Sequence, residues 1–253
     1  MSWFSSRGAG PDERHGKQQG PPPPPAPGTP ETHRSLGLAS LLECFDDRSK
    51  LQVLDLGPAI GANVEFLSRF GCKLFIQDLY PAIVPLQAAT LGLPPPGAGT
   101  VATIDRAAVR EAHETWEARQ AGMPMEPGLA GHFADLLNFP EDTRFDAVLV
   151  WDLLNYLDRR EVAALARQLV RFCRPGALLF ALISILKQIP AEPMRFRIVD
   201  DEHLAYERRT TAVRPCPRYA PAELNELLRG FRLDRSFLMR HGIQEYVFTR
   251  GQE

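Results

Sequence analysis

The chain has 253 residues, 44% of them hydrophobic and 24% charged, with a formal net charge of −2 at pH 7. This balance suits a folded α/β domain and excludes wholesale disorder, collagen-like repeats and a multi-span membrane protein. A near-neutral charge supplies no global basic field to hold nucleic acid or an anionic membrane. Cys44, Cys72, Cys173 and Cys216 stand far apart with no CxxC pair, which points to free thiols rather than a disulfide framework or a zinc knuckle. The longest apolar run, Ala177 to Leu186, is about half of what a membrane helix needs, and the opening MSWFSSRGAG has no apolar signal region. A cytoplasmic protein is the expectation.

Residues 1–33 hold eight of the 23 prolines, including the run Pro21 to Pro25, and are expected to be a disordered Pro/Gly-rich tail because they bury too little to offset ordering entropy. The folded domain is expected over 34–253. Leu36, Leu41, Leu42 and Phe45 fall at helical spacing after a Ser35 cap. LQVLDL (51–56) reads as an apolar strand, GPAIGA as a Gly-rich turn, NVEFLSRF as a helix and KLFIQD (73–78) as a second strand. Residues 91–131, with PPPG, a charged helix around 105–121 and GMPMEPG, read as an insertion. FDAVLVW (145–151) is a further strand, EVAALARQLVRFC (161–173) the clearest helix, and ALLFALIS (177–184) a buried strand. Strands apolar throughout and separated by helices imply a parallel sheet covered on both faces. MRFRIV and HLAYER around Asp200-Asp201-Glu202 predict a hairpin, PAELNELLRG a helix with Pro at its start and Gly at its end, and 231–250 two antiparallel strands joined at His241-Gly242.

The sharpest local signal is VLDLGPAIGANVEFL. Asp55 ends a strand, and Gly57, Ala59 and Gly61 alternate through the turn, letting the backbone approach a ligand ahead of a helix N-terminus with free N–H groups. The spacing is not the GxGxxG of a dinucleotide site, and an acid at the strand end suits an ammonium group better than a pyrophosphate. Taken alone, the turn is equally a plain strand-to-helix connection. Asp78 closes the next strand 21 residues after Gly57, Asp135 lies in HFADLLNF, and FDAVLVWDLLNYL follows.

With these motifs in order from Leu51 to Ser184, the chain resembles the class I S-adenosylmethionine-dependent methyltransferases. The resemblance implies a seven-stranded, mostly parallel sheet with helices on both faces and an antiparallel C-terminal strand pair. It also implies that Asp55 and the Gly57–Ala59–Gly61 backbone hold the methionine part of S-adenosylmethionine. Asp78 would bind the ribose, Asp135 and Leu136 the adenine, and Trp151 and Asp152 would lie beside the cofactor. Ala59 departs from the family's middle glycine, and Pro58 removes one N–H donor. Three alternatives stand beside these roles: Asp78 as a helix cap, Asp135 as a plain turn residue, and Trp151 as core packing. Asn155 and Tyr156 do not form the Asn/Asp-Pro-Pro-Tyr/Phe tetrad of amino-group methyltransferases and receive no role.

The expected activity is therefore transfer of a methyl group by in-line displacement to an acceptor, expected to be a small molecule, with a protein substrate left open. No nucleic-acid module or HExxH-like metal spacing is present in the sequence, so neither nucleic acid nor a metal is expected. His203, Tyr206, His241 and Asp152 are candidate bases. The 185–220 segment, with Met194, Phe196, Ile198, Leu204 and Tyr206 alternating and Arg214 and Arg218 flanking an aromatic, is a candidate substrate lid or else a hairpin packed on the protein's own edge. A non-catalytic methyltransferase-like scaffold and an NAD-dependent oxidoreductase are the rival readings, the latter disfavoured by the turn spacing.

Overall fold

A computed structural model describes residues 28–45, 50–91 and 127–252. The tail over 1–27 and most of the 91–131 insertion, including the charged helix around 105–121, lie outside the described residues. Strand β1 (Glu31–Arg34) begins slightly before the expected boundary at residue 33, and α1 (Leu36–Leu42) follows at once. Ser35 caps α1 by accepting from Leu38 N at 3.1 Å, as its position predicts. Glu245, fully buried, accepts from Gly37 N at 2.6 Å, so a carboxylate joins the Ser35 hydroxyl at the same helix start.

The chain continues through β2 (Gln52–Asp55), α2 (Gly61–Ser68), β3 (Lys73–Ile76), α3 (Tyr80–Leu91), α4 (Pro127–Leu136) and β4 (Phe145–Trp151). After a short 3-10 turn, Leu153–Tyr156, come α5 (Arg159–Phe172) and β5 (Cys173–Ser184). Asp158 and Glu161 close a full capping box on α5, which explains why this helix is so legible. The main sheet has the order β10-β11-β5-β4-β2-β3, where β10 (Phe231–Leu238) and β11 (Ile243–Arg250) are the predicted C-terminal pair. β3, β2, β4 and β5 run parallel, and β11 pairs antiparallel with β5. The mixed α/β sheet with flanking helices is as expected, with six of the seven expected strands among the described residues. HFADLLNF, the stretch preceding β4, is the end of helix α4, with Phe133 and Leu137 buried one helical turn apart.

Two apolar layers cover the sheet. One face packs α3, α4, α5 and α6 (Pro221–Leu227) through Leu79, Phe133, Leu165, Leu169 and Leu224. The other packs α1 and α2 together with a hairpin, β7 (Arg195–Asp200) and β8 (His203–Glu207). β1 adds to the edge of β8, giving a three-stranded sheet β1-β8-β7, while β6 (Gln188–Pro190) pairs with β9 (Val213–Pro215). Phe196, Ile198, Leu204 and Tyr206 are each at most 3% exposed, so the hairpin is packed on the protein's own core. Tyr219, the aromatic beside Arg214 and Arg218, donates to Leu157 O at 2.5 Å, and Arg214 lies over the Tyr156 ring. The RPCPRY stretch is thus structural.

Asn63 of α2 fastens the hairpin: its Nδ2 donates to Phe196 O at 3.0 Å and its Oδ1 accepts from Ile198 N at 2.8 Å. The residue is buried, and its removal orphans both backbone groups. Asn63→Ala is expected to destabilise the protein by about 2 kcal/mol, read as a shift in the urea midpoint. A loss of less than about 0.5 kcal/mol would show that these two bonds do not hold the hairpin.

Candidate active site

Parallel strands place their ligand crevice beyond their carboxyl ends. Here β2 ends at Asp55, β3 runs on to Asp78, and β4 ends at Trp151 and Asp152, all at one edge of the sheet. Leu56 N donates to Leu149 O, and Gln77 N donates to Asp55 O, so the three strand ends stay in register past their last ladder bonds. The turn after β2 is tied by one buried oxygen. Asp55 Oδ1 accepts from Gly57 N at 2.9 Å and from Trp151 Nε1 at 2.7 Å. Trp151 has φ of +53°, a left-handed conformation rare for a bulky residue, and β4 is irregular in register there. That geometry throws the indole back across the turn. A Cβ at Gly57 would lie 2.7 Å from Trp151 Cδ1, so glycine at this position is required by the indole itself.

A crevice of about 360 Å³, part of it open to solvent, lies against this turn. Gly57, Pro58, Ile60, Asp78, Tyr80, Trp151 and Asp152 line it, with Pro193, Met194 and Phe196 from the segment entering the hairpin. Phe196 stacks on Trp151 with ring centroids 5.7 Å apart and planes within 5°. Ile60, the residue before α2, makes no side-chain cap, which leaves the first N–H groups of the helix facing the turn. Burial pushes the Asp55 carboxyl up to about 6 against its two hydrogen bonds, and burial also raises Asp78.

Gly57, Asp78, Trp151 and Asp152 therefore converge on one crevice. Asp55 is 2% exposed and stands behind the turn, where it orients Trp151 rather than lining the space. Ala59 and Gly61 are exposed near the turn and do not line the crevice. Asp135 is exposed on α4, and neither it nor Leu136 lines the crevice, because a helix occupies the stretch expected to supply a strand end. Asp78 also accepts from Tyr80 N at the start of α3, so it caps that helix as well as lining the crevice, and Trp151 is both core and crevice wall.

A second cavity of about 830 Å³, also partly open to solvent, shares Asp152 and Met194 with the crevice. Asn155, Leu182, Ser184, Ile189, Tyr206, Arg208, His241 and Ile243 are among its other walls. Asp152 Oδ2 accepts from Met194 N at 3.0 Å, so one hydrogen bond forms part of the partition between the two spaces. Burial pushes the Asp152 carboxyl up to about 7, opposed by that bond. Of the candidate bases, Asp152, Tyr206 and His241 meet in this cavity, whereas His203 pairs with Asp200 in the exposed hairpin turn. Asn155 is used up structurally: it donates to Asp152 O and Leu182 O and accepts from Ser184 N. Arg208, Glu31 and His33 were not singled out from sequence. Glu31-x-His33 sits at the end of the proline-rich stretch, and only the alternation of a strand would have put the two side chains on one face.

The α/β sheet thus carries a crevice at its parallel strand ends and an adjoining cavity. A family model for a methyltransferase domain matches residues 31–231, and the chain belongs to that family. No curated protein is matched by its sequence. Similar solved structures include PH0226 from Pyrococcus horikoshii OT3, at 13% identity over 85% of this chain and 88% of that one, with a TM-score of 0.41. An S-adenosylmethionine-dependent methyltransferase from Clostridium acetobutylicum is similar at 11% identity over 85% and 92%, with a TM-score of 0.44. A third is the 1,6-didemethyltoxoflavin-N1-methyltransferase of Burkholderia thailandensis, at 16% identity over 85% and 77%, with a TM-score of 0.42. Among the described residues no helix is long and apolar enough to cross a membrane.

Because the folded pKa of Asp152 is raised, its contribution to stability is complete below the ordinary carboxyl value and is lost as pH rises through about 7. Asp152→Asn, which keeps an acceptor for Met194 N, is expected to be more favourable relative to wild type at pH 8 than at pH 5, by roughly 2 kcal/mol. Denaturant midpoints at the two pH values measure this. An identical difference at both would mean that Asp152 titrates as an ordinary surface acid.

Proposed function

We propose that this chain is an S-adenosylmethionine-dependent methyltransferase that binds the cofactor in the crevice and a small-molecule acceptor in the second cavity. The residues present fit such a cofactor. Asp78 and Asp152 line a space rimmed by an aromatic stack, a surrounding that favours a ligand carrying ammonium and sulfonium groups. When bound, S-adenosylmethionine supplies a methyl group already activated for in-line displacement. Asp78 would accept the ribose hydroxyls, and the turn at Gly57, Pro58 and Ile60, which lines the crevice, would hold the methionine end. Trp151 and Phe196 present their faces beside the sulfonium. Asp135 and Leu136 fall outside this proposal.

Asp152 and Met194 line both spaces, and this shared wall is the observation that carries the reading. A donor on one side and an acceptor on the other meet there, which brings the reacting atoms together and excludes water. With a carboxyl pushed up to about 7, Asp152 is the group placed to take a proton from the acceptor near neutral pH. The second cavity gives an acceptor room that a non-catalytic scaffold has no need to keep.

Calorimetric titration of the full chain with S-adenosylmethionine and with S-adenosylhomocysteine, using NADH as control, tests the proposal. Micromolar binding of the first two alone is expected. Asp78→Ala should then weaken both by about 1–3 kcal/mol, or roughly 5- to 150-fold. No binding by folded protein, or binding of NADH instead, would overturn the reading, and unchanged affinity in Asp78→Ala would move the ribose role elsewhere.

A further inference from the structure

We propose that Glu31, His33 and His241 form a binding site for a divalent transition-metal ion of the zinc type beside the second cavity. Glu31 and His33 alternate along β1 and so project from the same face of that strand. β1 pairs antiparallel with β8, which sets Glu31 opposite Tyr206. His241 comes from the far end of the chain, on the connection between β10 and β11. There its φ of +57° and ψ of 25° place a non-glycine residue in the left-handed region. Segments about 200 residues apart in sequence thus bring one carboxylate and two imidazoles to a common point.

The distances match a ligand set. Glu31 Oε2 lies 3.1 Å from His33 Nε2 and 3.0 Å from His241 Nε2, and the three ligand atoms all fall within 4.8 Å of one another. Around a tetrahedral ion with bonds of about 2.0–2.1 Å, neighbouring ligand atoms sit about 3.3–3.4 Å apart. The two distances to Glu31 Oε2 are a few tenths of an ångström short of that spacing, so a small outward shift of the carboxylate from each imidazole makes room for an ion. The imidazoles are held for this: His33 stacks on Tyr206 with centroids 5.0 Å apart and meets His241 edge to face. Their side chains are only 11% and 9% exposed, and the Tyr206 hydroxyl donates to Glu31 Oε2 at 3.3 Å, an outer-shell bond of the kind that orients a ligating carboxylate.

Two imidazoles and a carboxylate suit zinc or cobalt(II) better than magnesium or calcium, and three protein ligands leave a position open. His241, one of the three ligands, is also a wall of the second cavity, as is Tyr206 beside them, so the site adjoins the space assigned to the acceptor. Arg208 lines the same cavity, and its Nε is buried without a hydrogen-bond partner. An oxyanion on a molecule in the cavity would meet both the ion and this guanidinium.

Titrating chelator-treated full-length protein with Zn2+ by calorimetry, and with Co2+ by visible absorption, tests the site without any methyl donor. One equivalent of Zn2+ should bind at micromolar affinity or tighter, with an intense Co2+ band of tetrahedral type and a rise in melting temperature on metal addition. Glu31→Gln keeps the size of the side chain, and His241→Asn introduces a residue tolerant of the left-handed conformation. Each should weaken Zn2+ binding at least tenfold, while His203→Ala, in the exposed turn, should not. Absence of metal binding by the folded wild type, or binding equally tight in Glu31→Gln and His241→Asn, would overturn the proposal. Should one variant melt before the titration temperature, His33→Gln replaces it in the same comparison, and the wild-type titration still decides.

Discussion

One buried carboxylate oxygen organises the mouth of the sheet. Asp55 Oδ1 takes a hydrogen from Gly57 N and another from Trp151 Nε1, so the end of β2 and the end of β4 are fastened through a single atom. The indole is brought to that atom by a left-handed backbone at Trp151 and is packed between the edge of Phe180 and the face of Phe196. A conformation of that kind costs on the order of 1–3 kcal/mol and persists only where its surroundings over-determine it. Here the hydrogen bond, the two ring contacts and the absence of a side chain at Gly57 all favour the same rotamer. The shape of the crevice floor consequently depends on three stretches far apart in sequence, Asp55 with Gly57, Trp151, and Phe180 with Phe196.

The hairpin β7–β8 plays two parts from one set of side chains. Its inward face is core, with Phe196, Ile198, Leu204 and Tyr206 buried against α2 and the sheet, while Phe196 also walls the crevice and Tyr206 the second cavity. Exposing four such side chains would cost about 6–12 kcal/mol at 1.5–3 kcal/mol each, which leaves an opened hairpin at less than about one part in ten thousand. Burial on this scale opposes a freely swinging lid. The connector between β6 and β7 is tied down as well. Tyr80 OH donates to Ala191 O at 2.9 Å, Tyr156 OH to Glu192 O at 2.8 Å, and Asp152 Oδ2 receives Met194 N.

Elements whose cause is local were legible in the sequence. The apolar strands at 51–56, 73–78, 145–151 and 177–184, the Ser35 cap, the α5 helix and the hairpin turn at Asp200–Glu202 all follow from periodicity and turn chemistry within a few residues. Asp135 and Leu136 show the opposite case. Family order placed a strand end there, yet Phe133 and Leu137 carry a helical repeat, and the helix is what folds. Asp55 stands out in the sequence at the end of its strand, but its hydrogen bond to Trp151 does not, because the indole lies 96 positions away and is joined to it only through the sheet. Glu31, His33 and Arg208 were missed for the same reason. Glu31 and His33 meet His241 only because β1 pairs with β8, and Arg208 enters a cavity whose walls come from β5, β6, β8 and the β10–β11 connection, so no window of the sequence contains more than a fragment of either.

The partition between the two cavities couples structure to protonation through Asp152. Full burial makes its carboxylate expensive, which is why the proton is held to about pH 7. The same carboxylate accepts from Met194 N, and an ionised acceptor makes a shorter and stronger bond than a neutral one. The form of Asp152 that is able to receive a proton is thus also the form that grips the connector most tightly. Uptake of a proton from an acceptor would loosen that grip at the moment when the products have to part. Release and chemistry would then share one titrating group, with the packed hairpin behind it fixed and only the segment from Ala191 to Met194 left to yield.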